Sequence, residues 1–297
     1  MHVSLPMADD QPLMRYLTHD KFLRLLDPQP ALDAWRFLDP PPTGTVLCKA
    51  PTPAEYGSLW MALPSSFSDK DEGMFPALNA SDDAFCAEAA RHLGLSPEEA
   101  TERRQRFLAR NPSSLREGIR ARTQLCGVSC WYQDSDESER MWREYVPYGK
   151  GVVVTATLKQ FDEALGWTTP QYNKPANPLF ATINYVNRDN FFLVNDGYYH
   201  LLTIKGEGFK HEREIRLIAK SPSLVRATAG SSSPSREDIT ALVAAAGKGF
   251  NLLIDLKRLV REIRVHPSAP GDYADEIRRL LAAKHLSPEL VRPSQLP

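Results

Sequence analysis

Residues 124–157 read QLCGVSCWYQDSDESERMWREYVPYGKGVVVTAT and change their hydrophobic pattern twice. The apolar and aromatic run QLCGVSCWY (124–132) has the length and composition of a strand. SERMWREYV (138–146) repeats its large apolar residues at helical spacing, and GVVVTAT (151–157) is a second apolar run of strand length. This strand–helix–strand order indicates a protein that combines helices with a sheet.

The same alternation continues along the chain. LKQFDEAL (158–165) predicts a helix, ATINYV (181–186) and REIRLIA (213–219) predict strands, and residues 250–291 predict strand, short helix, strand, helix and strand. Because strands are spread over the whole length, we predict an α+β fold with a mixed, largely antiparallel central sheet flanked by helices. It forms a single domain over residues 14–297, after an N-terminal tail at residues 1–13.

A region rich in Ala, Glu and Arg interrupts the alternation at residues 81–123. Its helical periodicity, and a helix start at Ser96 followed by Pro97 and two glutamates, predict helices inserted between elements of the sheet. We interpret the arginines of this helical insertion as a solvated face and not as an anion site. They are Arg103, Arg104, Arg106 and Arg110.

Composition and charge narrow the classes of function. The 297 residues carry 36 Lys and Arg against 37 Asp and Glu, so the formal net charge is −1 and no basic face for nucleic acid is indicated. No apolar run approaches the roughly 20 residues that a membrane span needs, and the start lacks a secretion signal. Four cysteines are too few and too scattered for a disulfide framework. We therefore predict a reduced, cytoplasmic protein with no membrane partner and no metal site.

The strand–helix crossing supplies the first candidate site residues. Ser129 is a polar residue in an aromatic strand, where a serine hydroxyl often does no more than form a hydrogen bond inside the protein. Glu137 and Ser138 stand at the start of the predicted helix, where capping also explains a carboxylate and a hydroxyl. Trp142 and Tyr145 share a helix face with Ser138, so they either pack in a core or stack on the ring of a ligand.

A second segment, TIKGEGFKHEREIRLIAK (203–220), supplies charged candidates. Strand parity predicts Glu212, Glu214 and Arg216 on one face, opposite the apolar residues. In a cleft, one carboxylate could stabilise developing positive charge while the other orients or deprotonates an acceptor. On an exposed face, both would be solvated charges joined by Arg216. Lys205 precedes two glycines and either meets a phosphate or ends a helix.

An acidic loop offers a different chemistry. Asp69, Asp71 and Glu72 could hold a divalent cation, as in a metal-dependent nuclease, or form a solvated loop without the spacing of an EF-hand. The near-neutral charge disfavours a nuclease. The chain also lacks a P-loop, a GxSxG elbow, an HExxH motif and a GxGxxG motif.

Six segments occur in a fixed order along the chain. They are SLWMALPSSFSD (58–69), VSCW (128–131), ESERMWREY (137–145), GVVVTAT (151–157), FKHEREIRLI (209–218) and IDLKRLVREIRVHPSAPGDYADEI (254–277). Together they resemble a bacterial family catalogued as domain of unknown function 2971. The resemblance runs from Leu13 to the C-terminus, leaves out the helical insertion and departs from the family in the loop FSDKDEGMF (67–75). The family implies no established activity.

The order of elements is also similar to that of ADP-ribosyltransferases, with an aromatic first strand and helix, a serine-bearing middle strand and a late Glu-x-Glu strand. This resemblance implies Arg15 or Tyr16 on the first strand, Ser129 on the second, and Glu212 and Glu214 on the third. Glu214 would stabilise the oxocarbenium-like cation that forms when NAD loses nicotinamide, and Glu212 would steer the acceptor. Ser129 would contact the nicotinamide ribose.

The residues and the resemblance lead us to expect a NAD-type nucleotide pocket in a bacterial ADP-ribosyltransferase or NAD glycohydrolase of toxin or phage-defence biology. Glu214, Glu212 and Ser129 would be catalytic, NAD would be the substrate, and the acceptor could be a macromolecule. The residues assigned to nucleotide binding are Arg15, Tyr16, Glu137, Ser138, Trp142, Tyr145, Lys205 and Arg216.

Two other functions stay open at this point. A non-catalytic module that senses a nucleotide or a protein would have the same pocket, but Arg216 would neutralise Glu212 and Glu214 in a closed ion-pair network. A metal-dependent nuclease acting through the acidic loop is the second alternative. The oligomeric state is not predicted.

Overall fold

A computed structural model describes residues 8–35, 56–76, 113–167, 176–191, 199–228 and 235–296, together with Ala54 and short pieces between residues 87 and 105. The four arginines assigned to the insertion lie outside the described residues. The predicted helix start at Ser96 is confirmed, because its hydroxyl accepts from the Glu99 amide and the Glu99 carboxylate accepts from the Ser96 amide. None of the described helices is long and apolar enough to span a bilayer.

The described residues form strands and helices largely in the predicted alternation, but the single strand predicted at residues 181–186 is divided between two strands, Leu179–Thr182 and Asn184–Val186. The strands are β1 (Pro12–Thr18), β2 (Tyr56–Ala62), β3 (Cys126–Tyr132), β4 (Gly151–Thr157), β5 (Leu179–Thr182), β6 (Asn184–Val186), β7 (Ile204–Gly206), β8 (Glu214–Lys220), β9 (Gly249–Asp255), β10 (Glu262–Val265) and β11 (Val291–Arg292). The α-helices are α1 (His19–Leu26), α2 (Gln29–Trp35), α3 (Ser113–Thr123), α4 (Glu139–Tyr145), α5 (Leu158–Trp167), α6 (Pro222–Thr228), α7 (Arg236–Ala245), α8 (Leu256–Leu259) and α9 (Tyr273–Ala283). β1 begins at Pro12, so the last two residues of the predicted tail belong to the sheet.

Nine strands form one mixed, mostly antiparallel sheet, which confirms the predicted α+β class. Its order runs β11-β10-β4-β1-β3, and β3 then pairs with β8, which pairs with β5. β2 also pairs with β3 and carries β9 on its other side. Within this sheet only β10 and β11 run parallel among the described pairs. A separate parallel pair joins β6 to β7.

The sheet splits along one edge of β3. β8 pairs with β3 over its whole length, from Cys126 to Tyr132, so β1 and β2 must share the opposite edge. β1 reaches that edge only at Tyr132 and β2 only at Val128. Among the described strands, none pairs with the backbone between these two contacts on this side, and β1 and β2 diverge around it.

Both faces of the sheet are covered by apolar packing. One face, which we call the core face, carries the largest hydrophobic cluster. Leu13 of β1, Trp131 of β3 and Leu217 of β8 belong to this cluster, and helices α1, α5 and α9 pack over it. The opposite side, which we call the aromatic face, carries Tyr16 and Tyr132 packed on α4. Side chains of a strand alternate between faces, so each residue of β1, β3 or β8 can be assigned to one face by its parity.

A close approach of helix and strand fixes the position of α1. The backbone of β2 passes so near α1 that a Cβ atom at Gly57 would lie 2.1 Å from the carbonyl oxygen of Leu25. Only a residue without a side chain fits there. This contact holds α1 at the divergence of β1 and β2.

Candidate functional site

The predicted site residues lie on both faces of the sheet. Ser129 pairs with Leu217 across β3 and β8, so both side chains point to the core face. Glu214 lies three positions from Leu217 and pairs with Tyr132, which places it on the aromatic face. Arg15 shares the core face with Ser129, to which it hydrogen-bonds. The serine and the glutamate that the ADP-ribosyltransferase resemblance brings into one site therefore do not meet.

Arg15 fills the split between β1 and β2. Its Nη1 donates to Ser129 Oγ at 2.5 Å, and its Nη2 donates to the Trp60 carbonyl oxygen at 3.4 Å. The Trp131 indole also donates to Ser129 Oγ, at 3.1 Å, and the Arg15 guanidinium carbon lies 5.8 Å from the centre of that indole. The buried Ser129 hydroxyl thus orients Arg15 and Trp131, and a role with a ribose is not supported by its surroundings.

The charge of Arg15 has no acidic counterpart among the described residues, because its hydrogen bonds end on a hydroxyl and a carbonyl. Burial lowers the pKa of Arg15 to about 10. The pKa of Lys21 on α1 is also lowered, by burial and then by the charges of Arg15 and Arg24. These three cations, which we call the cationic group, create a positive potential that favours an anion. Lys21 and Arg24 were missed because a basic helix face usually indicates only solvation.

A second set of predicted residues forms a packed structural unit on the aromatic face. Ser138 caps α4, as predicted, and its amide donates to the Tyr16 hydroxyl at 2.8 Å. Trp142 is only 2 % exposed and packs edge-on against Tyr16 at 5.0 Å. Glu137 accepts from the Trp142 indole at 2.8 Å. The assignment of these four residues to ligand stacking or binding is not supported, because their surfaces and polar groups are already used.

The C-terminal residues complete this unit. The Glu137 carboxylate also accepts from Ser294 Oγ at 2.6 Å, from the Gln295 amide at 2.8 Å and from Arg264 Nη1 at 3.4 Å. Leu296 packs against the same aromatic cluster. The buried Glu137 therefore joins α4, β10 and the chain end.

The third set is a buried group of five charges that we call the acidic cluster: Glu72, Lys205, Glu212, Glu214 and Arg216. Lys205 Nζ lies 3.2 Å from carboxylate oxygens of both Glu72 and Glu214, and it also bonds Glu212. Arg216 donates to Glu214 Oε1 at 2.7 Å and to Glu72 Oε2 at 2.8 Å. Every carboxylate of the cluster thus has at least one buried cation as partner.

The pKa values of the two glutamates move in opposite directions. For Glu214, burial alone would raise the pKa, but the charge and hydrogen bonds of Arg216, together with Lys205, lower it to about 2. For Glu212, burial raises the pKa, and the repulsion of Glu214 adds to this while Lys205 opposes it. Glu214 is therefore held as a carboxylate whose lone pairs face cations. The alternative of a non-catalytic module predicts that Arg216 neutralises both glutamates, but Arg216 pairs with Glu214 and Glu72, while Lys205 pairs with Glu212.

The predicted strand face of Glu212 is wrong. Glu212 ends a 3-10 helix (Glu207–Glu212), and Arg213 follows in the left-handed region with φ 40° and ψ 51°. β8 begins only at Glu214, so the parity of a continuous strand does not apply. The two glutamates still meet, because both reach Lys205. Lys205 lies on β7 and does not end a helix. It forms ion pairs with glutamates and is not exposed as a phosphate ligand.

Tyr145 is the one predicted residue of the α4 region that reaches the acidic cluster in the described structure. Its hydroxyl donates to Glu212 Oε1 at 3.2 Å, and its ring is partly exposed. Cys130, which pairs with Arg216 across β3 and β8, is also exposed. Although the residue keeps exposed surface, desolvation of its thiol by the surrounding protein atoms, and then the Glu214 charge, raise the pKa of Cys130 well above its ordinary value. Cys130 and Tyr145 thus mark the edge at which the acidic cluster approaches solvent.

The acidic loop does not form the cation site of a nuclease. Glu72 turns into the acidic cluster and pairs with Arg216 and Lys205. Asp69 accepts from the Asp71 amide at 2.9 Å in an exposed turn. Glu72 was missed as part of the acidic cluster, because nothing in the sequence links it to a strand 144 residues away.

Another group of described side chains has the chemistry of metal ligands. Single ligand atoms of Glu144, His211 and Glu212 lie within 4.8 Å of one another at the solvent edge of the acidic cluster. The sequence contains no clustered histidines, and the group joins α4 to the 3-10 helix only in space.

Comparisons with known protein families, with curated proteins and with solved structures found no match for this chain. The two resemblances seen in the sequence therefore stay predictions, and the function has to be inferred from the geometry alone.

Proposed function

We propose that this chain is a nucleotide-binding module that does not cleave its ligand, with Arg15 as the contact to phosphate. The observation that carries the proposal is a partly buried guanidinium without a carboxylate partner among the described residues. A desolvated charge of this kind costs free energy in the unliganded protein, and an anionic ligand would recover it.

Two hydrogen bonds orient the Arg15 guanidinium and leave some of its N–H groups available for a ligand. Ser129 and the Trp60 carbonyl use two of its five N–H groups. A phosphate can accept two parallel hydrogen bonds from the remaining ones, which is the geometry that favours arginine over lysine at such sites. Lys21 and Arg24 add positive charge around the same point, so a group with more than one negative charge, such as a pyrophosphate, suits the site best.

Trp60, whose carbonyl accepts from Arg15, is a 42 % exposed residue. It alternates with Leu59 and Met61 of the core-face cluster, so its indole points to the face opposite Arg15. Leu23, an exposed large apolar residue, lies between Lys21 and Arg24 on α1. The proposed nucleotide, including NAD, is therefore inferred from its phosphates.

The position of the glutamates argues against cleavage of that ligand. Departure of nicotinamide would require a carboxylate close to the ribose carbon of a nucleotide held by Arg15. Glu214 lies across the sheet from Arg15 and is engaged by Arg216 and Lys205. The transferase or glycohydrolase activity suggested by the resemblance is the competing proposal, and the same experiment distinguishes the two.

Calorimetric titration with NAD and ADP, run in parallel with an assay for released nicotinamide, tests the proposal. We expect saturable binding by the wild type, loss of binding in Arg15→Gln, and no nicotinamide. Arg143→Gln, a change at an exposed arginine of α4, is the matched control and should bind as the wild type does.

Two results would contradict the proposal. If neither nucleotide binds, the cationic group is not a nucleotide site. If wild-type protein releases nicotinamide and Glu214→Gln does not, the chain is an enzyme, and the closed state of the acidic cluster opens during turnover.

A further inference from the structure

Glu144, His211 and Glu212 bring two carboxylates and an imidazole together at the edge of the acidic cluster. Glu144 is the next-to-last residue of α4, and the other two end the 3-10 helix. One potential ligand atom of each lies within 4.8 Å of the other two. A metal ion with bonds of about 2.0–2.2 Å would close these separations with small side-chain movements.

The neighbours of His211 orient its ring as in a metal site. Nδ1 lies 3.2 Å from the Gly208 carbonyl oxygen, which can only accept a hydrogen bond. Nε2 lies on the opposite side of the ring, 3.2 Å from Glu144 Oε2. Metal-binding histidines typically donate their other N–H to a carbonyl or carboxylate, as His211 does.

The charge of the acidic cluster favours a cation at its solvent edge. Among the described residues, three carboxylates (Glu72, Glu212 and Glu214) face two cations (Lys205 and Arg216), an excess of one negative charge. Glu212 is the member nearest to the solvent edge, and it is part of the three-residue group. If Glu212 becomes a ligand of a metal ion, Lys205 keeps its contacts with Glu72 and Glu214. A divalent ion would balance the surplus charge of the cluster. Glu144 pairs with Arg140 through Oε1 at 2.8 Å, which leaves its Oε2, the oxygen beside His211, as the ligand atom for the ion.

We propose that Glu144, His211 and Glu212 bind one divalent transition-metal ion of the Zn²⁺ class. An imidazole with two carboxylates suits Zn²⁺, whereas Mg²⁺ and Ca²⁺ prefer oxygen ligands alone. Three protein ligands leave at least one position for water or an exogenous ligand. The proposal departs from the prediction of no metal site, and it does not depend on nucleotide binding at Arg15, which lies on the other face of the sheet.

Titration of Zn²⁺ into the full chain after chelator treatment tests the site by calorimetry, and the visible absorption of added Co²⁺ gives a second readout. His211→Gln and Glu144→Gln each remove one ligand from a partly exposed position, so both variants should fold. His285→Asn, at an exposed histidine with a positive φ that asparagine tolerates, is the matched control.

We expect one Zn²⁺ per chain, an affinity at least about 100-fold weaker in both ligand variants, and no change in the control. Absence of saturable binding by the wild type would overturn the proposal and leave His211 as a hydrogen-bond partner of Glu144 alone. Equal affinity of wild type and His211→Gln would overturn it as well, because the ion would then bind elsewhere.

Discussion

Replacing Arg15 by methionine should stabilise the free protein and remove its response to anions. Methionine keeps the apolar stem of the side chain and deletes only the charged head. Substitutions usually destabilise a protein or leave it unchanged. An increase in stability combined with a loss of binding therefore distinguishes an uncompensated charge from an ordinary structural arginine.

The magnitude follows from the surroundings of the guanidinium. Burial lowers the pKa of Arg15 to about 10, and each unit of pKa corresponds to about 1.4 kcal/mol. The fold thus disfavours the charged form by up to about 3 kcal/mol, an upper limit because water screens the partly exposed head. The hydrogen bonds to Ser129 and the Trp60 carbonyl offset about 1–2 kcal/mol. We expect Arg15→Met to raise the free energy of unfolding by about 1 kcal/mol and the melting temperature by about 2 °C.

The pH dependence of this stability difference tests independently whether the charge of Arg15 destabilises the fold. Because burial lowers the pKa of Arg15, the folded protein releases this proton near pH 10 while the unfolded chain still holds it. The buried charge therefore lowers the free energy of unfolding by its full amount below that pH and by less above it. The advantage of Arg15→Met over wild type should shrink between about pH 9 and about pH 11.

Urea denaturation and thermal melts, with and without NAD, measure both effects. Added NAD should raise the melting temperature of the wild type and leave that of Arg15→Met unchanged. Arg143→Met, at an exposed arginine, should stay within about 0.5 kcal/mol of wild type. A loss of more than about 1 kcal/mol in Arg15→Met would refute the reasoning, since Arg15 would then be a net structural contributor.

Three further substitutions test the packing and the acidic cluster. Arg216→Met leaves buried carboxylates without their main cation and should cost about 3–5 kcal/mol in urea denaturation, whereas Arg213→Met removes a largely exposed pair and should cost under about 1 kcal/mol. Gly57→Ala places a Cβ atom against a carbonyl oxygen of α1 and should lower the free energy of unfolding by about 1–3 kcal/mol, while Gly271→Ala meets nothing within 4 Å and should be silent. Glu137→Gln weakens four hydrogen bonds and should increase hydrogen exchange at the C-terminal amides, as measured by mass spectrometry; unchanged exchange there would contradict the assigned role.

The sequence was informative wherever local pattern alone determines an element. GVVVTAT predicted the buried strand β4, since a strand covered on both faces needs apolar residues at every position. The strand, helix, strand, helix and strand over residues 250–291 were also found in the predicted order. The cap at Ser138 was predicted for the same reason, because capping depends on residues three positions apart.

The candidate site was harder to predict because it depends on register and on long-range contacts. Parity places Ser129 and Cys130 on opposite faces, but only the pairing of Ser129 with Leu217 shows which of them faces Glu214. Arg213 in the left-handed region interrupts the expected strand, and a non-glycine residue at positive φ leaves no signal in the sequence. Glu72 was missed as a partner of Arg216 because their contact spans 144 residues.

The energetics of the acidic cluster bear directly on the choice between binding and catalysis. For Glu214 to stabilise a cation on a substrate, it would have to release Arg216, which is fully buried and has no other carboxylate partner than Glu72 among the described residues. Breaking a buried pair of this kind costs about 3–5 kcal/mol. An electrostatic contact in an active site contributes about 3–4 kcal/mol, so the release would cancel the catalytic gain. Among the described residues, the ion pairs of this cluster join the loop at Glu72, β7 and β8, and the proposal of ligand binding therefore rests on the cationic group around Arg15.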